Sequence, residues 1–273
     1  TWTVRIKPGI YFADDPVFKG AKRELVAQDY VYSVKRFYDP EVRSPIYQNV
    51  KEEGILGLEA LREEALRLKK PFDYDREVEG VRAIDRYTVQ FRLETPRPRF
   101  IYLIAQGGAL GAVAREVIEA YAGSTMEHPV GTGPFRLAQW RRSSLLVLER
   151  NPNFRTVRYE DEVTPLDDDA EGQALVKRFR GRTLPMVDRV EISIIEVSQP
   201  RWLAFLSERF DLLAVLLEYA SLAAPTGVLA PNLARRGIPL QRVAAPDRPP
   251  LYLKMKDPTR GGTPRQNRRR GAG

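Results

Sequence analysis

The stretch that decides the reading is residues 129–135, Pro129-Val130-Gly131-Thr132-Gly133-Pro134-Phe135. Gly131-Thr132-Gly133 looks like the start of a dinucleotide fingerprint. That motif needs a third glycine and a helix N-terminus to receive the pyrophosphate. Here Pro134 and Phe135 follow, and residues 134–140 then alternate as a strand. Residues 145–150 read as a second strand joined to the first at 141–144. The string is therefore read as a tight turn entering a β-hairpin, without a phosphate site.

Downstream, residues 151–185 are rich in Pro, Asp and Gly and read as loop. Residues 188–196 alternate Val190, Ile192 and Ile194, and Ser198 is placed to cap a helix carrying Trp202, Leu203, Phe205 and Leu206. Residues 211–217 read as a buried strand. A helix over 229–236 ends at Gly237, and residues 238–244 and 251–256 are strands. Strands and helices alternate here, so an α/β arrangement with helices on a mixed sheet is expected.

Upstream the pattern is more hairpin-like. Trp2, Val4 and Ile6 alternate with polar residues, Pro8-Gly9 turns the chain, and residues 10–12 are expected to return as a hairpin. Tyr30, Val31, Val34, Phe37 and Tyr38 mark one face of a helix that Pro40 stops. A second helix is expected over 55–70, a hairpin over 78–93 turning at Asp85-Arg86, and a short helix over 114–121.

Of 273 residues, 43% are hydrophobic and 29% charged, which argues against disorder. No apolar run approaches the roughly 20 residues that a membrane-spanning helix needs. There is no cysteine, which removes disulfides, thiol catalysis and cysteine zinc sites. Five of the eight net positive charges lie in residues 259–273, leaving +3 for the rest. That Gly/Arg-rich segment has no apolar side chain to bury and is expected to be disordered.

The search for chemistry returns little. His128 is the sole histidine, so no multi-histidine metal site or HExxH pair can form, and no GxSxG elbow accompanies it. A structural or solvent-facing role is expected for it. Residues 107–111 lack the lysine and spacing of a phosphate loop and read as a connector. The acidic residues 160–162 and 167–169 are interrupted by Val163-Thr164-Pro165-Leu166, which does not suit a calcium loop, and read as solvated. No catalytic residue and no cofactor are expected.

Several segments, in order, resemble the bacterial solute-binding proteins that include the oligopeptide-, dipeptide- and nickel-binding receptors. They are residues 1–12 (TWTVRIKPGIYF), 26–36 (VAQDYVYSVKR), 129–135 (PVGTGPF), 148–154 (LERNPNF), 199–206 with 211–213, and 251–258 (LYLKMKDP). At Val26 the family's usual threonine is absent, which removes a capping oxygen worth about 1 kcal/mol. The resemblance implies a periplasmic-binding-protein-like (type II) α/β fold that closes on ligand like a hinge, with a smaller inserted lobe. Residues 1–127 would form that hairpin-rich lobe, 128–257 part of the first major lobe, and 258–273 the tail.

The resemblance also implies that the family's first strands precede Thr1 and that its second major lobe follows Pro258. The Arg-rich tail is then read as a truncated or frame-shifted continuation. The implied function is the substrate-binding component of an ABC importer, in the periplasm or outside the cell. It would capture a peptide-like or other small polar solute and work as a monomer with a membrane permease. With half the cleft absent, weak or no ligand binding is expected of this chain by itself. By resemblance only, Gly131, Thr132, Gly133, Lys254 and Met255 are candidate ligand-binding residues; turn and hinge-strand roles serve them equally well. The alternative is a basic interaction protein whose Arg-rich tail binds nucleic acid or an anionic surface. Under the importer reading no nucleic acid is expected.

Overall fold

The structure is a computed structural model that describes residues 1–215, 217–225, 228–238, 240–242 and 251–254. The chain divides into two compact units, the first Thr1–Ile192 and the second beginning at Ser193. The boundary expected between residues 127 and 128 falls inside the first unit. The expected tail, residues 258–273, lies outside the described residues.

The first unit opens with β1 (Trp2–Arg5), followed by α1 (Ala27–Tyr38), α2 (Tyr47–Glu52), α3 (Leu58–Leu68), β2 (Val81–Asp85) and β3 (Thr88–Phe91). The strands form one antiparallel sheet in the order β1-β3-β2. The alternation in the first residues is real, but its partner is not the one expected. β1 pairs with β3, Trp2 opposite Phe91. Residues 10–12 do not return on β1; Phe12 N–H donates to Arg23 O at 2.9 Å, and Leu25 N–H donates to Ile10 O at 2.8 Å. Pro8-Gly9 turns the chain, but β1 takes its partner from β3 and residues 10–12 bond with residues 23–25.

The apolar stripe of α1 meets that sheet. Val31, Val34 and Tyr38 are buried with Val81, Val89 and Phe91, and Leu58 and Leu61 of α3 join the same core. Fully burying one such side chain contributes about 1.5–3 kcal/mol. At the start of α1, Val26 has no side-chain oxygen to offer. Asp29 instead accepts from Val26 N–H at 2.8 Å, and Arg86 O accepts the Ala27 N–H at 2.8 Å. Two amides at the helix start are thus satisfied without the missing threonine. Gly80 allows close backbone passage, because a Cβ there would collide with the Leu56 backbone.

Next come α4 (Phe100–Ala105), α5 (Gly107–Leu110) and α6 (Arg115–Ala120), then the hairpin β4 (Phe135–Arg141) and β5 (Leu145–Arg150). Residues 151–185 are not simply loop. They hold β6 (Val157–Arg158), α7 (Tyr159–Glu162), α8 (Ala170–Phe179) and β7 (Thr183–Leu184). α8 has no fully buried residue, and Asp169 caps it by accepting from Gly172 N–H at 2.8 Å. β8 (Arg189–Ser193) lies beside β5.

The second unit contains α9 (Ser198–Leu206), β9 (Leu212–Val215), α10 (Leu217–Ala223), α11 (Pro231–Arg235), β10 (Leu240–Arg242) and β11 (Leu251–Lys254). Its sheet runs β10-β11-β9, antiparallel throughout. Phe205, Leu213, Leu233 and Ile238 form its small core. Ser198 lies inside the first turn of α9, with Val197 at the cap position. Gly237 takes the left-handed conformation expected after α11, with φ 68°.

Candidate ligand groove

Inside the first unit, the loop 131–133 is held by two asparagines that follow β5. Asn151 is 2% exposed. Its Nδ2 donates to Gly133 O at 2.8 Å, and its backbone N–H donates to Pro134 O at 2.9 Å. Its Oδ1 accepts from Asn153 N–H at 3.0 Å. Asn153 Nδ2 in turn donates to Phe12 O at 3.0 Å and Asp14 Oδ1 at 2.6 Å, while Ala13 N–H donates to Gly131 O at 2.8 Å. The Asn-Pro-Asn string thus clamps residues 131–134 against residues 12–14.

Neither Gly131 nor Gly133 has a left-handed φ, and a Cβ at either would meet nothing within 4 Å. The turn therefore does not demand glycine. What these residues provide is backbone facing open space, and that space is a groove of roughly 930 Å³. Its walls come from α1 through Tyr30 and Arg36, from Gly111, Val113, Val117 and Ile118, and from the hairpin through Trp140 and Leu148.

Two interactions fix the wall between α1 and α6. Ser33 Oγ accepts from Val113 N–H at 2.9 Å while donating to Asp29 O at 2.6 Å. Arg23 donates from Nη2 to Asp29 Oδ1 and from Nε to Glu116 Oε1, both at 2.6 Å. Burial lowers the pKa of the Arg23 guanidinium, but hydrogen bonds to Asp29 and Glu116 outweigh that and raise it. Burial likewise pushes the Glu116 carboxyl up, and the Arg23 hydrogen bond overrides it, holding Glu116 below its ordinary range. The Tyr30 hydroxyl is pushed up by burial and then by the Asp29 charge, so it stays a neutral donor and acceptor.

The structure brings Gly131, Thr132 and Gly133 together on the groove wall. Lys254 ends β11 in the other unit, and Met255 lies outside the described residues. His128 is exposed, touches the groove, and stacks on Tyr121 with ring centroids 4.0 Å apart. Two of the acidic residues are locally engaged: Asp169 caps α8, and Glu160 accepts from Gly181 N–H. Among the described residues no group of three or more His, Cys, Asp and Glu side chains is placed to hold a metal ion. Sequence reasoning missed Asn151 as the clamp of the loop and Arg36 as part of the wall; both lie in strings that resemble the family, 148–154 and 26–36, but the strings give neither residue a role.

Residues 1–227 match the family model of bacterial extracellular solute-binding proteins, family 5. The chain belongs to that family. Among curated relatives, the periplasmic oligopeptide-binding protein OppA of Escherichia coli is 30% identical over 156 residues, 56% of this chain and 26% of that protein. Solved structures of the same fold include the murein tripeptide-binding protein MppA of Escherichia coli, 19% identical with a TM-score of 0.58, covering 88% of this chain and 39% of that one. Haemophilus influenzae OppA in complex with the peptide RPPGFSPFR is 19% identical with a TM-score of 0.57, covering 81% and 36%. The family 5 chain therefore has the periplasmic-binding-protein-like α/β fold expected of it, and it spans about a quarter of the curated relative and under two fifths of these structures.

Proposed function

We propose that the protein carrying this chain is the substrate-binding component of an ABC importer. It captures a peptide-like or other small polar solute outside the cytoplasm and presents it to a membrane permease. The observation that carries this reading is the family match over residues 1–227. The names of the relatives point the same way, to oligopeptides for OppA and to the murein tripeptide for MppA. On this reading residues 1–127 form the smaller lobe and residues 128–257 belong to the first major lobe. Gly131, Thr132 and Gly133 meet ligand through their backbone, Lys254 and Met255 remain candidate ligand residues by resemblance, and no residue is catalytic.

Such a protein works by desolvating its ligand and satisfying the polar groups it buries, and closure is driven by the ligand's higher affinity for the closed form. The alternative that the Arg-rich segment binds nucleic acid has no support from the family or its relatives. The test is a thermal-shift screen of the full gene product against a peptide library, with nickel chelates and duplex DNA alongside. Stabilisation by a peptide subset supports the reading. No shift with any solute, together with salt-sensitive DNA binding, overturns it.

A further inference from the structure

We infer that Arg36 is a carboxylate anchor in the 930 Å³ groove of the first unit. The inference rests on the proposed solute-binding role and deepens it by naming the ligand chemistry. Arg36 lies in the last turn of α1, and its Nε is buried with no hydrogen-bond partner among the described residues. Its guanidinium forms no ion pair there either. The buried acid three positions on, Asp39, is already engaged by Tyr74 Oη at 2.6 Å and by Glu41 N–H at 2.9 Å. Arg36 as a whole is half-buried, and its fork offers the groove donors that no protein group among the described residues occupies and that an anion can satisfy.

The rest of the wall sharpens the inference. Arg36 is the only permanently charged side chain among the described residues that line the groove, and Trp140, Leu146 and Leu148 make the opposite side apolar. A fork of fixed donors beside an apolar floor suits a ligand carrying one carboxylate next to a hydrophobic side chain, and bidentate pairing makes that contact both directional and strong.

The test uses the full gene product and two probes, N-acetyl-phenylalanine and its C-terminal amide, at millimolar concentration. Binding is followed by Trp140-sensitive fluorescence and by NMR of the Leu146 and Leu148 methyl groups. The acid should bind about tenfold to a hundredfold more tightly than the amide, the range for a hydrogen bond to a charged group. Arg36→Met should erase that preference, and Arg36→Lys should keep part of it. Equal binding of acid and amide by the unaltered chain overturns the anchor and leaves the groove standing. No perturbation by either probe overturns the groove as a binding surface, and the anchor with it. The acid–amide comparison needs no variant, so a substitution that fails to fold does not spare the inference.

Discussion

Replacing Asn151 with alanine should loosen the 131–134 loop and destabilise the first unit. At 2% exposure, Asn151 donates to Gly133 O at 2.8 Å and accepts from Asn153 N–H at 3.0 Å. Alanine leaves both partners without their bonds, at about 1–3 kcal/mol for each group left unsatisfied. Some rehydration of the Gly133 carbonyl brings the expected total to about 2–4 kcal/mol, or a fall in melting temperature of roughly 5–15 °C for a unit this size. The backbone bond from Asn151 N–H to Pro134 O survives, so the strand ends should stay paired. Differential scanning calorimetry measures the fall, and hydrogen exchange should show faster exchange at Gly131, Thr132, Gly133 and Asn153. Asn151→Asp is the harsher variant. It keeps an acceptor for Asn153 but sets a carboxylate against the Gly133 carbonyl, so its defect should ease as the solution is acidified. A melting point within 2 °C of the original, with unchanged exchange in the loop, would refute the clamp.

Gly80→Ala should destabilise by about 1–3 kcal/mol in urea unfolding, since a Cβ must displace the Leu56 backbone that bonds Gly80 N–H at 2.9 Å. An unchanged midpoint would show that this crossing can yield. Val26→Thr should stabilise by about 0.5–1 kcal/mol by restoring the cap oxygen to a position already extended at φ −127°, and an unchanged midpoint would show that Asp29 and Arg86 already supply all that the cap can give. Stability should also fall on acidification. Glu116 is raised by burial but drawn below its usual range by Arg23, so the unfolded chain binds more protons than the folded one below about pH 4.3. The contribution is present above that pH and is lost as pH drops through the lowered folded value. Arg23→Gln should flatten this part of the profile, and an identical acid limb in both proteins would count against the pairing.

How far the fold was legible depends on where each element's partner sits. α1 announced itself because five apolar residues fall on one face and Pro40 ends the run, and the structure places it at Ala27–Tyr38. The hairpin over 78–93 did so because a two-residue turn keeps both strands close in sequence. Residues 10–12 were misread for the opposite reason. Alternation states that a segment is extended but not what it pairs with, and the true partner of β1 lies more than eighty residues away. α8 was missed because the Pro, Asp and Gly content of residues 151–185 was read as loop, although Gly172, Val176 and Phe179 fall at helical spacing and are its part-buried side.

The groove was legible only in part, and the division follows from what sequence strings encode. Gly131-Thr132-Gly133 stood out because it looks like the start of a dinucleotide fingerprint and lies in a string that resembles the family, and the structure puts the backbone of these residues against open space. Arg36 gave no such sign. On sequence alone it is one of 44 Lys and Arg residues and a routine occupant of a helix's last turn, where cations are favoured. What singles it out is the set of acceptors it does not have, and that depends on Asp39 turning to Tyr74, on Ser33 holding residue 113 over the helix, and on β4 and β5 closing the far side. Each lies on a different segment brought in by folding. A charge becomes a binding feature here through the failure of its neighbours to neutralise it, which is a property of the assembled wall and of no string within it.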